Sequence, residues 1–264
     1  MRLNKSFLLL GQFTHLNDPF SKEAPMYDMT YTIHGTSMEI VEFSLFPGQF
    51  IQAEIGSMIY MGDSMEMKTG TGGGIWKGLK RKLAGERFLV SQFKNRGMEK
   101  SYVGIGSYYP GKIQMINLSA HDGVYYTQKR AFLCATPDVD ISVGITKRLG
   151  VGFFGGEGFI LQKYSGDGMV FIHAGGTIIR KVLNHDETLQ VDTGCLLGFS
   201  PTVDYNIRMV SGIMNPLFGG EGLFLAHLKG PGEVIMQSLP FSRLADNLYA
   251  AMSQFTATPQ KDEG

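Results

Sequence analysis

Two short blocks of sequence, each present three times, decide the fold of this chain. One block reads Gly156-Glu157-Gly158-Phe159-Ile160-Leu161 in its middle copy, and it recurs at residues 220–225 and, in a looser form, at residues 85–90. The other block lies upstream, where a small residue and then two apolar residues follow Gly56, Arg130 and Gly194. Because both blocks recur in the same order and at nearly the same separation, the sequence predicts a tandem triplication.

The repeat divides the chain into three β-rich units with shorter segments at both ends. We predict an N-terminal extension, three units, and a C-terminal helix with its tail, at residues 1–30, 31–100, 101–168, 169–235 and 236–264. A unit of about 65 residues is marginally stable alone, whereas units packed side by side cover each other's strand edges. We therefore expect an all-β fold of three tandem short double-stranded β-helix or sandwich modules packed as one body, plus a short C-terminal helix.

The composition favours a folded β protein and disfavours a general nucleic-acid binder. Glycine contributes 35 of the 264 residues and proline only 10, which is typical of a chain with many tight turns. Lys plus Arg and Asp plus Glu each number 24, so the net charge is zero. Because binding to a phosphate backbone needs clustered cations, nucleic acid is disfavoured as a partner.

No stretch of the sequence is predicted to cross a membrane. Apolar runs are all far shorter than the ~18 residues that a spanning helix needs. The apolar run at residues 7–10 is also shorter than the apolar region of a secretory signal, which is about 7–15 residues long. We therefore expect a cytoplasmic protein, with peripheral attachment to a membrane as an open alternative.

The C-terminal segment has the spacing of an amphipathic helix. Leu244, Leu248 and Ala251 fall on one side of a helix predicted over residues 240–254, with Ser242 as its N-cap. We expect that apolar side to lie on the β body.

The repeated blocks resemble a family named for altered inheritance of mitochondria, which is widespread in bacteria. The resemblance covers about residues 31–250, and its motifs occur in the family's order. They are the run Glu54-Ile55-Gly56-Ser57-Met58-Ile59-Tyr60-Met61, the run Gly78-Leu79-Lys80-Arg81 leading to Gly85-Glu86, and the runs Gly155-Gly156-Glu157-Gly158-Phe159 and Val191-Asp192-Thr193-Gly194-Cys195-Leu196.

The resemblance implies a fold and an assembly, but it implies no activity. The family is similar in fold to the tryptophan RNA-binding attenuator protein. Its members are thought to form homotrimers, so three modules per chain imply a pseudo-nine-fold ring. No catalytic residues are established for the family, and none is carried over. The mitochondrial relatives are linked to inner-membrane organisation, a role that a bacterial-type chain need not share.

One glutamate recurs in every copy of the Gly-Glu block, as Glu86, Glu157 and Glu221. A repeated carboxylate could bind a cation or a partner. The alternative, which we favour, is that each one accepts backbone N–H bonds in a turn whose unusual backbone angles are supplied by glycine.

The most unusual segment combines a tryptophan with a run of cations. Trp76 is followed by Lys77, Lys80, Arg81 and Lys82, and the apolar residues recur at helical spacing. The segment is a candidate surface for anionic lipid or an acidic partner. The favoured alternative is a short helix or loop in which Trp76 covers the edge of a module and the cations are solvated.

The histidines and cysteines do not form a recognisable metal or redox motif. His121 and His185 occupy equivalent turns, each followed by Asp, and we interpret them as turn residues in preference to a weak metal site. Cys134 and Cys195 are expected to be free thiols. We predict no catalytic residues, no metal ligands and no cofactor.

These observations favour a non-enzymatic oligomeric scaffold or interaction protein. Its predicted partners are further copies of itself, a membrane surface or another protein. The 15 methionines and many glycines suit packed interfaces. Two alternatives stay open: a nucleic-acid-binding ring like the attenuator protein, and a small-molecule or metal-binding protein that uses a cleft in one module.

Overall fold

A computed structural model describes residues 29–71, 89–147, 159–214 and 222–256. Over these residues the chain is all β except for a single 3₁₀ turn (Leu118–His121) and one helix near the C-terminus, α1 (Phe241–Thr256). No helix within these ranges is both long and apolar enough to cross a membrane.

The first unit carries one strand more than the other two. Its strands are β1 (Thr30–His34), β2 (Ile40–Leu45), β3 (Phe50–Glu54), β4 (Met58–Met61), β5 (Met65–Thr71), β6 (Leu89–Asn95) and β7 (Ser101–Gly106). The added strand is β1, which pairs only with β2 among the described strands.

The second and third units repeat β2 to β7 strand for strand. The second consists of β8 (Gly111–Asn117), β9 (Val124–Gln128), β10 (Phe132–Ala135), β11 (Val139–Lys147), β12 (Phe159–Gly166) and β13 (Met169–Gly175). The third consists of β14 (Ile178–Leu183), β15 (Thr188–Asp192), β16 (Leu196–Phe199), β17 (Asp204–Met214), β18 (Gly222–Lys229) and β19 (Gly232–Gln237).

Strand pairing within each unit follows one rule. With β2 counted as the first strand of the first unit, each unit has six equivalent strands. The first and the third of these both pair with the sixth, and the second and the fourth both pair with the fifth. The third strand carries a β-bulge at the same place in each copy, at Ile59, Leu133 and Leu197. These positions follow the alignment of Gly56, Arg130 and Gly194, so the repeat seen in the sequence is a repeat of the fold.

Neighbouring units join through two inner seams, which are the strand pairs β3–β10 and β9–β16. In the first seam Ala53 lies opposite Cys134, and in the second Thr127 lies opposite Gly198. These are equivalent positions of the repeat, so both seams have the same register. Each seam merges three strands of one unit with three strands of the next into a six-stranded sheet.

The hydrophobic core has three parts, one for each unit. The first centres on Phe43, Phe93 and Phe171, the second on Tyr125 and Phe132, and the third on aromatic and aliphatic residues of the last unit. Each of the first two clusters also takes side chains from the following unit. The units are therefore one packed body, as predicted.

The turn between the first two strands of each unit has a left-handed residue at the same position. Gly48, Asp122 and Asp186 all have positive φ, with values of 83°, 54° and 63°. Asp122 directly follows His121 and Asp186 directly follows His185, so both histidines lie beside this turn: His185 within it, as interpreted, and His121 at the end of the 3₁₀ turn, with its ring against Tyr125.

The C-terminal helix was predicted in the right place, and in the single chain only its first turns lie on the β body. It begins at Phe241, so Ser242 lies inside the first turn and is not the N-cap. Residues 243–245 are partly buried, whereas residues 246–253 are exposed. The predicted unit boundaries at 100/101 and 168/169 fall immediately before β7 and β13, so the prediction assigned each of these closing strands to the following unit.

Candidate functional site: two open strand edges

The site residues singled out in the sequence lie outside the described residues. They are Glu86, Glu157, Glu221, Trp76, Lys77, Lys80, Arg81 and Lys82, and their proposed roles stay predictions. By sequence position the three glutamates fall in the β5–β6, β11–β12 and β17–β18 connections, which are equivalent in the repeat.

The described residues hold both cysteines as free thiols, Cys134 buried and Cys195 half-buried. Burial raises the pKa of both thiols, which keeps them protonated and weakly nucleophilic at neutral pH. No group of three or more His, Cys, Asp or Glu side chains that could hold a metal ion occurs in the ranges that the structure describes.

The inner seams show how one unit recognises the next. Gln52 of the first seam is buried, and its Nε2 donates to the carbonyls of Thr136 and Val139 at 3.2 and 2.6 Å. In the second seam the equivalent residue, Tyr126, instead stacks on Phe199 with ring centroids 5.7 Å apart. Backbone pairing is thus common to both seams, while the side-chain contacts differ.

The first and the third unit each have one strand edge that pairs with no other unit within the described residues. The first sheet, β1-β2-β7-β4, ends at β4, and the last sheet, β15-β18-β17, ends at β15. In the inner seams the strands equivalent to β4 pair with the strands equivalent to β15. The β4 edge and the β15 edge therefore correspond to the two strands that pair at each inner seam.

The side chains at the β4 edge are exposed where their equivalents are buried. Ile59 is 52% exposed, while Leu133 and Leu197 at the same bulge position are each 1% exposed. Ile59 and Ile40 both lie next to Gly106, and the equivalent of Ile40 in the second unit, Ile113, is buried in the first core cluster. An apolar surface that is covered at both inner seams is thus open at this edge.

Helix α1 starts directly beside the β15 edge. Arg243 of its first turn donates from Nη2 to Asp192 Oδ2 at 2.7 Å, and Asp192 Oδ1 accepts the backbone N–H of Gly194 at 2.8 Å. Phe241 packs against Tyr109 with ring centroids 5.2 Å apart. These contacts fix the beginning of the helix at the end of β15.

A buried polar cluster, which we call the Glu233 cluster, lies between the second and third units. Glu233 is 5% exposed and accepts hydrogen bonds from Tyr125 Oη at 3.0 Å and from Arg180 Nε and Nη2 at 3.1 and 2.5 Å. His121 Nε2 lies 3.9 Å from Glu233 Oε1. Burial and then the Glu233 charge raise the pKa of Tyr125, which keeps its hydroxyl protonated as a donor.

The Glu233 cluster breaks the symmetry of the repeat. The positions equivalent to Tyr125 hold Ile51 and Leu189, and in the second unit the positions equivalent to Arg180 and Glu233 hold Met115 and Met169. Since its carboxylate is already satisfied by three donors, the cluster suits internal fixation of two units better than ligand binding.

A second polar group lies at the first inner seam. Burial raises the pKa of Glu54 to about 7, and the Arg130 charge from the next unit opposes that rise. Nearby, burial lowers the pKa of His173 to about 4, and its ring meets Tyr109 edge-on at 4.5 Å between centroids. His173 is 3% exposed, and its Nδ1 has no hydrogen-bond partner among the described residues.

Comparison with known proteins places this architecture in a family. Residues 31–239, which span all three units, match the family described as Mitochondrial biogenesis AIM24. The chain belongs to that family. The family resemblance drawn from the repeated blocks is thereby confirmed, while the likeness in fold to the attenuator protein stays a prediction.

Other comparisons agree with the AIM24 assignment and add no activity. An uncharacterised protein of Streptococcus pyogenes serotype M6 is 26% identical over 248 residues, which are 90% of this chain and 96% of that protein. An X-ray structure of a Streptococcus pyogenes protein matches with a TM-score of 0.66 at 22% identity, covering 84% of this chain and 99% of the other. The likeness to this structure shows that the two share a fold.

The features that sequence reasoning missed are ones that a strand-level alignment of the repeats could have indicated. Gln52 and Gln190 occupy equivalent positions, and Tyr125, Arg180 and Glu233 stand where the second or third copy is apolar. Only the pairing of strands between units, however, identifies β4 and β15 as open edges.

Proposed function

We propose that this chain is a non-enzymatic scaffold that assembles into a homotrimeric ring, in which the β15 edge of one copy pairs with the β4 edge of the next. The observation that carries the proposal is the pair of half-sheets at the two ends of the series. Each inner sheet is made of two three-stranded halves, and the end sheets supply one such half each, with β1 added. Joining them between copies gives every unit the same two neighbours.

The inner seams supply the register of this third seam. Ala53 pairs with Cys134 and Thr127 pairs with Gly198, so Val191 pairs with Tyr60 of the neighbouring copy. By the same rule Gln190 pairs with Met61 of that copy. A contact that joins two different edges of identical chains is heterologous, and it closes into a ring when successive rotations add to a full turn.

Gln190 is suited to the contact that Gln52 makes. It is exposed in the single chain, although Gln52 at the equivalent position is buried and donates to two carbonyls of the next unit. The equivalent carbonyls in the neighbouring copy belong to Gly62 and Met65. The third seam therefore has the main-chain pairing of both inner seams and the glutamine of the first.

Assembly also covers the apolar surface of the β4 edge. At the inner seams Leu133 and Leu197 join core clusters, whereas Ile59 is exposed. Pairing with β15 places Ile59 of the neighbouring copy at the end of the third core cluster. Burial of one aliphatic side chain of this size stabilises by roughly 1.5–3 kcal/mol. Pairing also removes two strand edges that would otherwise invite aggregation.

Disulfide trapping tests both the contact and its direction. In the variant Gln190→Cys/Met61→Cys, oxidation is expected to produce covalent chains up to a trimer and no longer species on non-reducing gels. Light scattering after size exclusion is expected to give three chains per particle for the wild type. A strictly monomeric wild type, or a double variant that stays uncrosslinked, would refute the ring.

The single variants Gln190→Cys and Met61→Cys are the matched controls. In a heterologous contact each new thiol faces an unchanged residue, so neither single variant is expected to form interchain disulfides. Crosslinking of one single variant would indicate a two-fold contact between identical edges instead. Met61→Lys places a charge on the edge and is expected to yield monomers, while Met98→Lys, at a 94% exposed site, is expected to remain trimeric.

A further inference from the structure

Helix α1 leaves most of its apolar surface uncovered within the described chain. Leu248 and Tyr249 are 57% and 77% exposed, and Phe241 is 42% exposed. Together with Leu244 and Ala245 they form one face, because residues spaced by three, four and seven positions lie on the same side of a helix. A face of this kind normally packs against another element.

The helix starts where the third seam forms. Its Arg243 is bonded to Asp192, the last residue of β15, and Pro240 lies beside Gly194. In the register of the inner seams, Asp192 is equivalent to Glu54, and the charge of Arg130 in the next unit opposes the rise in the Glu54 pKa that burial causes. The residue equivalent to Arg130 in the neighbouring copy is Gly56, which has no side chain.

Arg243 therefore supplies the cation that the neighbouring copy lacks. At the first inner seam the carboxylate comes from one unit and the guanidinium comes from the next. At the third seam the carboxylate of Asp192 is already paired, at 2.7 Å, with an arginine from its own helix.

The surface next to Gly56 is apolar and exposed. Tyr108 is 67% exposed, and its Oη donates to the Ile55 carbonyl at 2.8 Å. Ile55 is 41% exposed, and a Cβ at Gly56 would lie 2.4 Å from Tyr108 Oη. We call Ile55, Gly56 and Tyr108 the Tyr108 patch. It lies beside Ile59, at the margin of the β4 edge.

We propose that α1 is an arm that crosses the third seam and packs its apolar face on the Tyr108 patch of the neighbouring copy. This inference rests on the proposed ring and names the surface that clamps it. The second copy is the occupant because α1 begins at the end of β15, the edge that pairs with β4 of that copy in the proposed ring. The expected helix packing on the β body, which in the single chain is limited to the first turns of α1, is then completed between chains.

The arm is tested by Leu248→Glu with Asn247→Glu as its matched control. Leu248 is exposed and glutamate is a good helix former, so the substitution leaves the fold of the single chain intact. We expect Leu248→Glu to raise the concentration at which the trimer half-dissociates at least tenfold, measured by light scattering over a dilution series. Asn247→Glu, on the polar side, is expected to stay within twofold of the wild type.

Hydrogen exchange gives an independent measurement. Amides of residues 246–253 are expected to exchange at least tenfold more slowly in the trimer than in the Met61→Lys monomer, because the neighbouring copy covers them only in the trimer. Tyr108→Glu is expected to restore fast exchange to this segment while disulfide trapping through Gln190→Cys/Met61→Cys still succeeds.

The outcomes separate the arm from the ring. Successful trapping combined with a Leu248→Glu trimer as stable as the wild type, or with equal exchange rates in trimer and monomer, would overturn the arm and leave the ring standing. A wild-type chain that is monomeric and cannot be trapped would overturn the ring and the arm together.

Discussion

Arg180 and Glu233 form a largely buried ion pair between β14 and β19, in which Nε and Nη2 of Arg180 donate to Glu233 Oε2 at 3.1 and 2.5 Å. The carboxylate is 5% exposed, whereas the arginine side chain is 34% exposed. Tyr125 of the preceding unit binds the other carboxylate oxygen. The cost of burying this charge is offset by three donors, so the second and third units are held in one relative position.

The repeat itself provides the control for this cluster, because the second unit has methionine at both positions of the pair. We expect Glu233→Met to lower the free energy of unfolding by about 3 kcal/mol, since it removes the buried carboxylate that Arg180 and Tyr125 both bind. Arg180→Met/Glu233→Met is expected to be more stable than Glu233→Met by at least about 1 kcal/mol, because it restores the apolar pair that the second unit has at these positions.

Chemical denaturation of both variants at one fixed protein concentration checks this prediction, since assembly contributes to apparent stability. Adding Tyr125→Phe to the double variant is expected to recover more of the loss. A double variant less stable than Glu233→Met alone would contradict the role assigned to the ion pair.

Glu54 is expected to make stability fall as pH rises through the neutral range. Burial raises its pKa to about 7, so the folded chain keeps this proton in a range where the unfolded chain, near the ordinary pKa of 4.5, has lost it. The stability contributed by the protonated form is complete below about pH 4.5 and is lost as pH rises through about 7. Glu54→Gln has no such titration. We therefore expect the free energy of unfolding of Glu54→Gln, relative to that of the wild type, to increase as pH rises from about 4.5 to about 7.

The measurement is a series of denaturation midpoints from pH 4.5 to 8. Glu66→Gln serves as the comparison, because hydrogen bonds from Arg96 and Lys68 lower the pKa of Glu66, so its titration lies below this pH range and its difference from the wild type is expected to stay constant across the series. A wild-type to Glu54→Gln difference that stays constant with pH would show that Glu54 titrates normally in the folded chain.

His173 is expected to act at the acid side of the same range, with the opposite sign. Burial lowers its pKa from 6.5 to about 4, so the folded chain resists a proton that the unfolded chain takes up. Stability is complete above about pH 6.5 and is lost as pH falls toward 4. His173→Gln copies the equivalent Gln237, whose amide bonds both Gly175 and Gly194. We expect it to fold and to lose less stability between pH 6.5 and 4 than the wild type.

Thermal unfolding of His173→Gln, with the exposed His185→Gln as control, measures this effect. The two titrations of Glu54 and His173 oppose each other in the wild type, so each variant must be compared with the wild type at every pH. If His173→Gln lost as much stability between pH 6.5 and 4 as the wild type does, the loss would not come from protonation of His173.

Much of the fold was predictable because the repeat constrains it locally. The alignment of Gly56 with Arg130 and Gly194 places the bulge residues Ile59 and Leu133 at the same point of their strands. The helix was predictable from its periodicity. The exposure of its later residues, 246–253, could not be predicted, because periodicity identifies an apolar face and does not identify what covers it.

The candidate site was far less predictable than the fold. Composition and motifs drew attention to Trp76 and to the recurring Glu86, which lie outside the described residues. The open edges depend on pairings such as Ala53 with Cys134, between residues far apart in the chain. Long-range pairing of this kind leaves little trace in local sequence, since the same alternation fits an inner strand and an edge strand.

The repeated left-handed turn offers a test of how strictly one backbone geometry is required in all three units. Asp122 has φ of 54° and is exposed, and its equivalent in the first unit is Gly48 with φ of 83°. Asp122→Gly supplies the residue that the first unit already uses, so we expect stability within about 0.5 kcal/mol of the wild type. Asp122→Val places a β-branched residue at positive φ and is expected to cost about 1–2 kcal/mol. Gly48→Val, where a side chain meets open space, is expected to cost a similar amount from backbone strain alone. Chemical denaturation of the three variants measures these changes in the free energy of unfolding. An Asp122→Val variant as stable as the wild type would mean that this turn can adopt another backbone geometry without loss of stability.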